Sequence, residues 1–165
     1  MTSKSDFTEQ EWERLGRAPL VAGMAISLSD PGGPIEAIKE SSAALKTLIE
    51  TARDQNAGEF VHAVAQDVAA KAEKRQNPMA GFKPESRHAL DDILEELRAV
   101  NALLVEKATP EEAAEFREWL KTAAQRAALA AKEGGFLGIG AERVSEREQK
   151  MLDKLGEIFS ESPGA

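Results

Sequence analysis

Apolar residues recur at intervals of three and four along most of the chain, the spacing that places side chains on one face of an α-helix. Between residues 34 and 54 this stripe, interrupted by one serine, comprises Ile35, Ile38, Ser42, Leu45, Ile49 and Ala52. The next stripe comprises Phe60, Val61, Val64, Ala65, Val68 and Ala72. No stretch combines two-residue alternation with an enrichment in β-branched residues. The pattern predicts an all-α protein, a single compact bundle of six or seven helices.

Three more stripes complete the predicted bundle. A helix opened by Pro84 carries Leu90, Ile93, Leu94, Leu97, Val100 and Leu104 on its inner face. A helix over residues 110–133 carries Ala113, Phe116, Leu120, Ala124, Ala127 and Ala131, with Trp119 beside them. The last helix carries Met151, Leu152, Leu155 and Phe159. We expect one helical domain over residues 7–160, with disordered ends at 1–6 and 161–165.

Helix starts are marked by residue pairs three apart, a Ser or Thr followed by Glu, in which each side chain satisfies the other's free backbone amide. These pairs are Thr8 with Glu11, Thr109 with Glu112, and Ser145 with Glu148. Phe7 would pack on Trp12 as a hydrophobic staple beside the first pair. Each pair predicts that a helix begins directly after its Ser or Thr.

The first helix is predicted from Thr8 to about Arg17, after which Pro19 either kinks it or opens a second helix. The following stretch APLVAGMAISLSD is apolar on nearly every side, which favours a short central helix surrounded by others. Its small residues, among them Gly23, permit close backbone approach. The Asp-Pro-Gly-Gly sequence at 30–33 then ends it.

Two Glu-x-x-His motifs, Glu59 to His62 and Glu85 to His88, resemble half-sites of helical di-iron proteins. Each motif lies near the start of its predicted helix, and consecutive helices joined by a short loop are expected to run antiparallel. The two histidines would then lie about 20 Å apart along the bundle, at 1.5 Å per residue. Both histidines also share a face with polar residues, so we expect them in solvent and predict no metal site.

Composition narrows the chemistry further. The 165 residues include 21 basic and 29 acidic side chains, a net charge of −8, with no cysteine and no tyrosine. The acidic balance argues against general binding to nucleic acid. The absence of cysteine removes disulfides and thiolate sites, and no apolar run reaches the roughly 20 residues that span a bilayer. With only two histidines, nucleophile–base sets are scarce, so we expect no enzyme and no cofactor, although carboxylates distant in sequence leave catalysis open.

The segment KEGGFLGIGAERVSERE is the most distinctive stretch of the chain. A phosphate loop needs a preceding strand and a Gly-Lys-Ser/Thr ending, neither of which is present. The glycines are better explained as a helix end and a close backbone passage, with apolar neighbours filling the gap between the last two helices. An anion nest and a partner-binding loop stay open as alternatives. The candidate interaction loop comprises Gly134, Gly135, Phe136, Leu137, Gly138, Ile139, Gly140 and Arg143.

Two blocks, residues 7–33 and residues 115–155, resemble an uncharacterised family of small bacterial all-helical proteins, chiefly through KEGGFLGIG followed by VSxxE. Together the blocks cover less than half of the chain. The family has no assigned activity, so the resemblance implies a bacterial cytoplasmic protein. The glycine turn and last helix are also distantly similar to the TerB domain, but the loop here is longer and apolar. No metal ligand is therefore carried over from that domain.

We expect a non-enzymatic helical protein of the bacterial cytosol that binds a protein partner or associates with itself. The alternative is a small-molecule carrier or sensor with an apolar pocket between helices. Small residues near Gly23 and on the helix over 110–133 would line such a pocket. These two hypotheses differ in whether those residues pack backbone to backbone or enclose a cavity of several hundred Å³.

Overall fold

The chain forms a bundle of six α-helices within the residues described by the computed structural model, which are 2–29, 34–85, 87–132 and 144–160. Side chains at 34–40 and 131–132 are outside this description. The helices are α1 (Glu9–Ser29), α2 (Pro34–Arg53), α3 (Glu59–Glu73), α4 (Ala89–Lys107), α5 (Pro110–Lys132) and α6 (Glu146–Ser160). The described part of the chain contains no strand, and the all-α prediction is confirmed.

Helix α1 is the centre of the bundle, and each of the other five helices packs against it. It is one helix of 21 residues with Pro19 in its interior, so it runs past the predicted end near Arg17. Of the two alternatives for Pro19, the start of a second helix is wrong. A proline inside a helix removes one hydrogen bond and costs about 3 kcal/mol. Burial on both sides of Pro19 offsets this cost, since Leu15, Ala18, Val21 and Ala22 are all fully buried.

The N-terminal segment packs against the bundle, where we had expected residues 1–6 to be disordered. Residues Lys4–Asp6 form a short 3-10 helix, and the Thr2 backbone amide donates to Glu112 Oε1 at 2.8 Å. Burial raises the pKa of Glu112, but hydrogen bonds from Thr2 and Thr109 outweigh it and lower the pKa to about 2. Met1 and the predicted disordered end at 161–165 lie outside the described residues.

All three predicted helix caps are confirmed. The Thr8 amide donates to Glu11 at 2.8 Å and the Glu11 amide donates back to the Thr8 hydroxyl at 3.2 Å. The same reciprocal bonds begin α5 and α6 at Thr109 with Glu112 and at Ser145 with Glu148. The predicted staple is also present, with the rings of Phe7 and Trp12 5.6 Å apart.

Helix α4 begins later than predicted, at Ala89 instead of directly after Pro84. The Asp92 carboxylate accepts the backbone amide of Glu85 at 2.7 Å, which holds the preceding turn against the first turn of the helix. The connection before α4 is also fixed from α1, because Arg17 Nη1 donates to the Ala80 carbonyl at 3.1 Å.

The buried face of α2 is rotated from the predicted stripe. Ala44, Thr47 and Leu48 are buried, whereas Ser42, which we placed on the inner face, is exposed. A threonine is tolerated inside because its hydroxyl donates to the Ala43 carbonyl one turn earlier, at 3.0 Å. The periodicity therefore located α2 correctly but did not distinguish between neighbouring faces.

Small residues bring α1, α2 and α5 into close contact, as predicted. A Cβ atom added at Gly23 would lie 3.0 Å from the Ala44 methyl carbon and 3.8 Å from that of Ala127. Glycine permits this approach, because a methyl group here would press on Ala44 of α2 and shift it by a few tenths of an ångström. The space beside Gly23, where the alternative hypothesis requires a pocket, is occupied by these two methyl groups.

Candidate functional site

A surface groove lies between the C-terminal half of α2, the start of α3 and the outer face of α5. We call it the α2–α5 groove, and its volume is about 510 Å³. Its lining residues are Thr47, Glu50, Thr51, Asp54, Ala57, Gly58, Val61, Glu115, Glu118, Trp119, Thr122 and Arg126. Three separate helices thus contribute side chains to one concave surface, which is the usual form of a binding site.

The floor of the groove is formed by a fixed aromatic side chain. Trp119 is only 7% exposed, and its indole Nε1–H donates to the Thr51 hydroxyl at 2.9 Å. The Thr51 hydroxyl in turn donates to the Thr47 carbonyl at 2.9 Å. Phe116 packs edge-on against the indole, with ring centroids 5.2 Å apart. These contacts hold the ring in one orientation, so the floor is preformed.

The rim of the groove is acidic. Its lining residues carry four carboxylates against one guanidinium, an excess of three negative charges. The guanidinium belongs to Arg126, which donates to Glu50 and, at 3.4 Å, to the Thr47 hydroxyl. Since Glu50 and Arg126 are both about half exposed, their ion pair contributes little to stability.

One end of the groove meets the N-terminus of α3. Gly58 precedes this helix and offers no side-chain cap, and a Cβ atom there would lie only 1.8 Å from Glu115 Oε2. The missing side chain therefore lets the Glu115 carboxylate approach the positive end of the helix dipole. This contact joins α5 to α3 at the groove's edge.

The candidate loop Gly134, Gly135, Phe136, Leu137, Gly138, Ile139, Gly140 and Arg143 lies outside the described residues. Its described neighbours border a second, more apolar groove of about 640 Å³ lined by Leu129, Val144, Glu146, Gln149 and Lys150. Leu129 is 52% exposed, the most exposed large apolar side chain in the described part of the chain.

The two Glu-x-x-His motifs occupy different environments. His62 lies on α3 but is only partly exposed, and its Nε2 lies 3.0 Å from the Ala52 carbonyl, so its predicted solvated position is wrong. His88 is exposed and precedes the first residue of α4, so Glu85 and His88 do not share a helix face. Within the described ranges, no group of three or more acidic or histidine side chains has the geometry of a metal site.

The helices that follow the two motifs have partly different neighbours. Helix α3 packs against α1, α2 and α5, whereas α4 packs against α1, α5 and α6. Helices α1 and α5 are thus the neighbours that α3 and α4 share.

Buried carboxylates, the remaining candidates for acid–base chemistry, have structural partners. Glu96 Oε1 accepts hydrogen bonds from Arg17 at 2.7 and 2.9 Å and from Arg14 at 3.1 Å. Glu148 accepts the Ser145 backbone amide at 2.7 Å and so caps α6. Both arginines thus tie the Glu96 carboxylate to α1 as part of the packing between α1 and α4. Neither buried glutamate lines the α2–α5 groove.

One buried donor has no partner in the described part of the chain. It is the indole Nε1–H of Trp12. This residue is 2% exposed, and its ring contacts the rings of Phe7 and Phe60. Trp12 also borders a groove of about 340 Å³ between α1 and α3. The indole N–H itself is buried away from solvent, so it is not offered to a ligand in this groove.

Comparison of the chain with models of protein families, with curated proteins and with solved structures finds no match. The fold and the groove therefore define the class, an all-α bundle with a preformed, acidic-rimmed surface groove. None of the helices in the described ranges is long and apolar enough to cross a membrane.

Proposed function

We propose that this protein is a non-enzymatic helical interaction protein that binds a segment of a partner protein in the α2–α5 groove. The groove itself carries the proposal, because it joins concavity, a rigid indole at the floor and polar groups at the rim. Tryptophan is among the residues most often found at the energetic centre of protein interfaces. The resemblance of residues 7–33 and 115–155 to a bacterial helical family supports placing the protein in the bacterial cytosol.

Catalysis has less support than binding. The exposed Ser41 and Ser42 lie on α2, while His62 contacts the Ala52 carbonyl, ten residues after Ser42 on that helix. The groove is lined by hydroxyls and carboxylates but by no histidine. A small-molecule carrier has less support as well, because its pocket was expected beside Gly23, where Ala44 and Ala127 pack.

The groove can be tested by selecting binders from a random-sequence peptide display library. Thr122→Trp places an indole in the groove at a partly exposed position, whereas Ala114→Trp adds the same side chain to an exposed part of α5 outside it. We expect peptides that bind the native protein and the Ala114 variant but not the Thr122 variant. Failure to recover any peptide with this dependence would refute the proposed function.

A second mode, self-association, is supported by the exposed Leu129 and the apolar groove beside it. Exposed apolar patches with polar rims often mark contacts between proteins. We expect Leu129→Gln to lower the average mass measured by size-exclusion chromatography with light scattering at high protein concentration. A native protein that remains a monomer at every concentration would refute self-association while leaving the groove proposal untouched.

A further inference from the structure

We infer that the segment bound in the α2–α5 groove is cationic and that its lysine or arginine side chain docks beside Glu115 and Glu118. The inference deepens the proposed function and rests on it, because it names the chemistry of the partner at the same groove. It is carried by the charge of the lining residues, four carboxylates against one guanidinium.

The carboxylates are unequally neutralised along the groove. At one end, Glu50 is paired with Arg126, and this guanidinium also reaches the Thr47 hydroxyl. Arg126 lies eleven residues after Glu115, about 16 Å along α5 at 1.5 Å per residue. Arg126 therefore lies at the opposite end of the groove from Glu115.

At that far end, no cation among the lining residues faces the acidic groups. Glu115 lies against Gly58, and Asp54 accepts the Asn56 backbone amide at 2.9 Å. Glu118 contacts Lys121 at 3.6 Å, but the Glu118 side chain is largely exposed, so this pair is weak. A cation of the partner placed there would be attracted by these carboxylates, and the Trp119 ring would exclude water from one side of it.

The Arg126–Glu50 pair indicates how such a cation can bind. A guanidinium already lies between α2 and α5, bonded both to a carboxylate of the rim and to a threonine hydroxyl. An arginine or lysine of the partner would make the same kinds of contact at the other end of the groove, beside Glu115 and Glu118. Arg126 lies at the opposite end of the groove, so its removal is expected to change the affinity less than removal of Glu115 or Glu118.

The test uses the peptides that bind the native protein and the Ala114 variant but not the Thr122 variant, which we call groove-dependent peptides. Each peptide is also synthesised with every lysine and arginine replaced by glutamine. We expect the selected peptides to be enriched in lysine and arginine. Their affinity for the protein should fall when these residues are replaced by glutamine and when the salt concentration rises. Glu115→Gln and Glu118→Gln in the protein should each weaken binding about 1.5–5-fold, and Arg126→Gln should change the affinity by less than either.

Glu95→Gln is the matched control, since it changes the net charge equally but lies exposed on α4, which does not pack against α2. Its affinity for the same peptides should equal that of the native protein. Groove-dependent peptides that are neutral or acidic, or that respond equally to all three Glu→Gln variants, would overturn the cationic partner while leaving the proposed function standing. Recovery of no groove-dependent peptide would overturn both.

Discussion

A conservative substitution at Glu96 tests how strongly the buried ion cluster around this residue stabilises the bundle. Glu96 is 7% exposed, and its Oε1 accepts two hydrogen bonds from Arg17 and one from Arg14. Arg17 is 5% exposed and also packs over the Phe82 ring, 5.8 Å from its centroid. Glu96→Gln keeps the size of the side chain but leaves the Arg17 charge buried without a counter-charge.

Removing one partner of a buried ion pair costs about 3–5 kcal/mol, because the other charge stays desolvated. We expect the lower part of this range for Glu96→Gln, since the glutamine carbonyl can still accept hydrogen bonds. Arg14→Gln is the contrast: the Arg14 side chain is 36% exposed, so its loss should cost less than about 1 kcal/mol.

Urea denaturation followed by far-ultraviolet circular dichroism measures the free energy of unfolding of each variant. The double variant Arg17→Met with Glu96→Leu removes both charges and should recover most of the stability lost by Glu96→Gln alone. If Glu96→Gln lowers the free energy of unfolding no more than Arg14→Gln does, the Arg17 charge does not depend on Glu96 for its stabilisation, which would refute this explanation.

Three further predictions concern helix packing, the N-terminal segment and the groove floor. Gly156→Ala should raise the free energy of unfolding by about 0.5–1 kcal/mol, because a Cβ atom at this position meets nothing within 4 Å. Gly23→Val should lower the free energy of unfolding by about 1–3 kcal/mol, because the added side chain would crowd Ala44. Urea denaturation measures both changes. The pKa of Glu112 is lowered to about 2 from the ordinary value of 4.5. The ionised Glu112 therefore contributes fully to the free energy of unfolding above pH 4.5, and this contribution is lost as the pH falls through about 2. Glu112→Gln should remove about 1 kcal/mol at neutral pH, once solvent screening is allowed for, and flatten this acid dependence, with exchange of the Thr2 amide measured by NMR as the local readout. Thr51→Val leaves the buried indole N–H of the groove floor without its acceptor and should cost about 1–2 kcal/mol in thermal or urea unfolding; a neutral effect would mean that the indole finds another acceptor.

The helices and their caps follow from information that is local in the chain. A three-four spacing of apolar residues and reciprocal Ser/Thr–Glu pairs depend only on neighbours within one or two turns. They therefore predicted α3, α5 and α6 and all three capping pairs from the residue order. The close approach at Gly23 was predictable for the same reason, since a run of small residues permits it wherever the helix packs.

At two of the positions that were predicted wrongly, contacts between distant residues override a local signal. Pro19 normally interrupts a helix, but burial on all sides keeps α1 continuous through it. The segment before α1 has little apolar character, yet Glu112, far along the chain, holds Thr2 in place. Glu112 cannot be identified from spacing as the partner of Thr2, because the two residues are 110 positions apart.

The α2–α5 groove belongs entirely to the tertiary structure. Glu50 and Arg126, which close one of its ends, are 76 residues apart, and Thr51 and Trp119, which fix its floor, are 68 apart. Each of these residues looks like an ordinary surface or core position when its own helix is considered alone. Only the packing of α2 and α3 against α5 places them on one concave surface, because interhelical geometry depends on the side chains of all three helices at once.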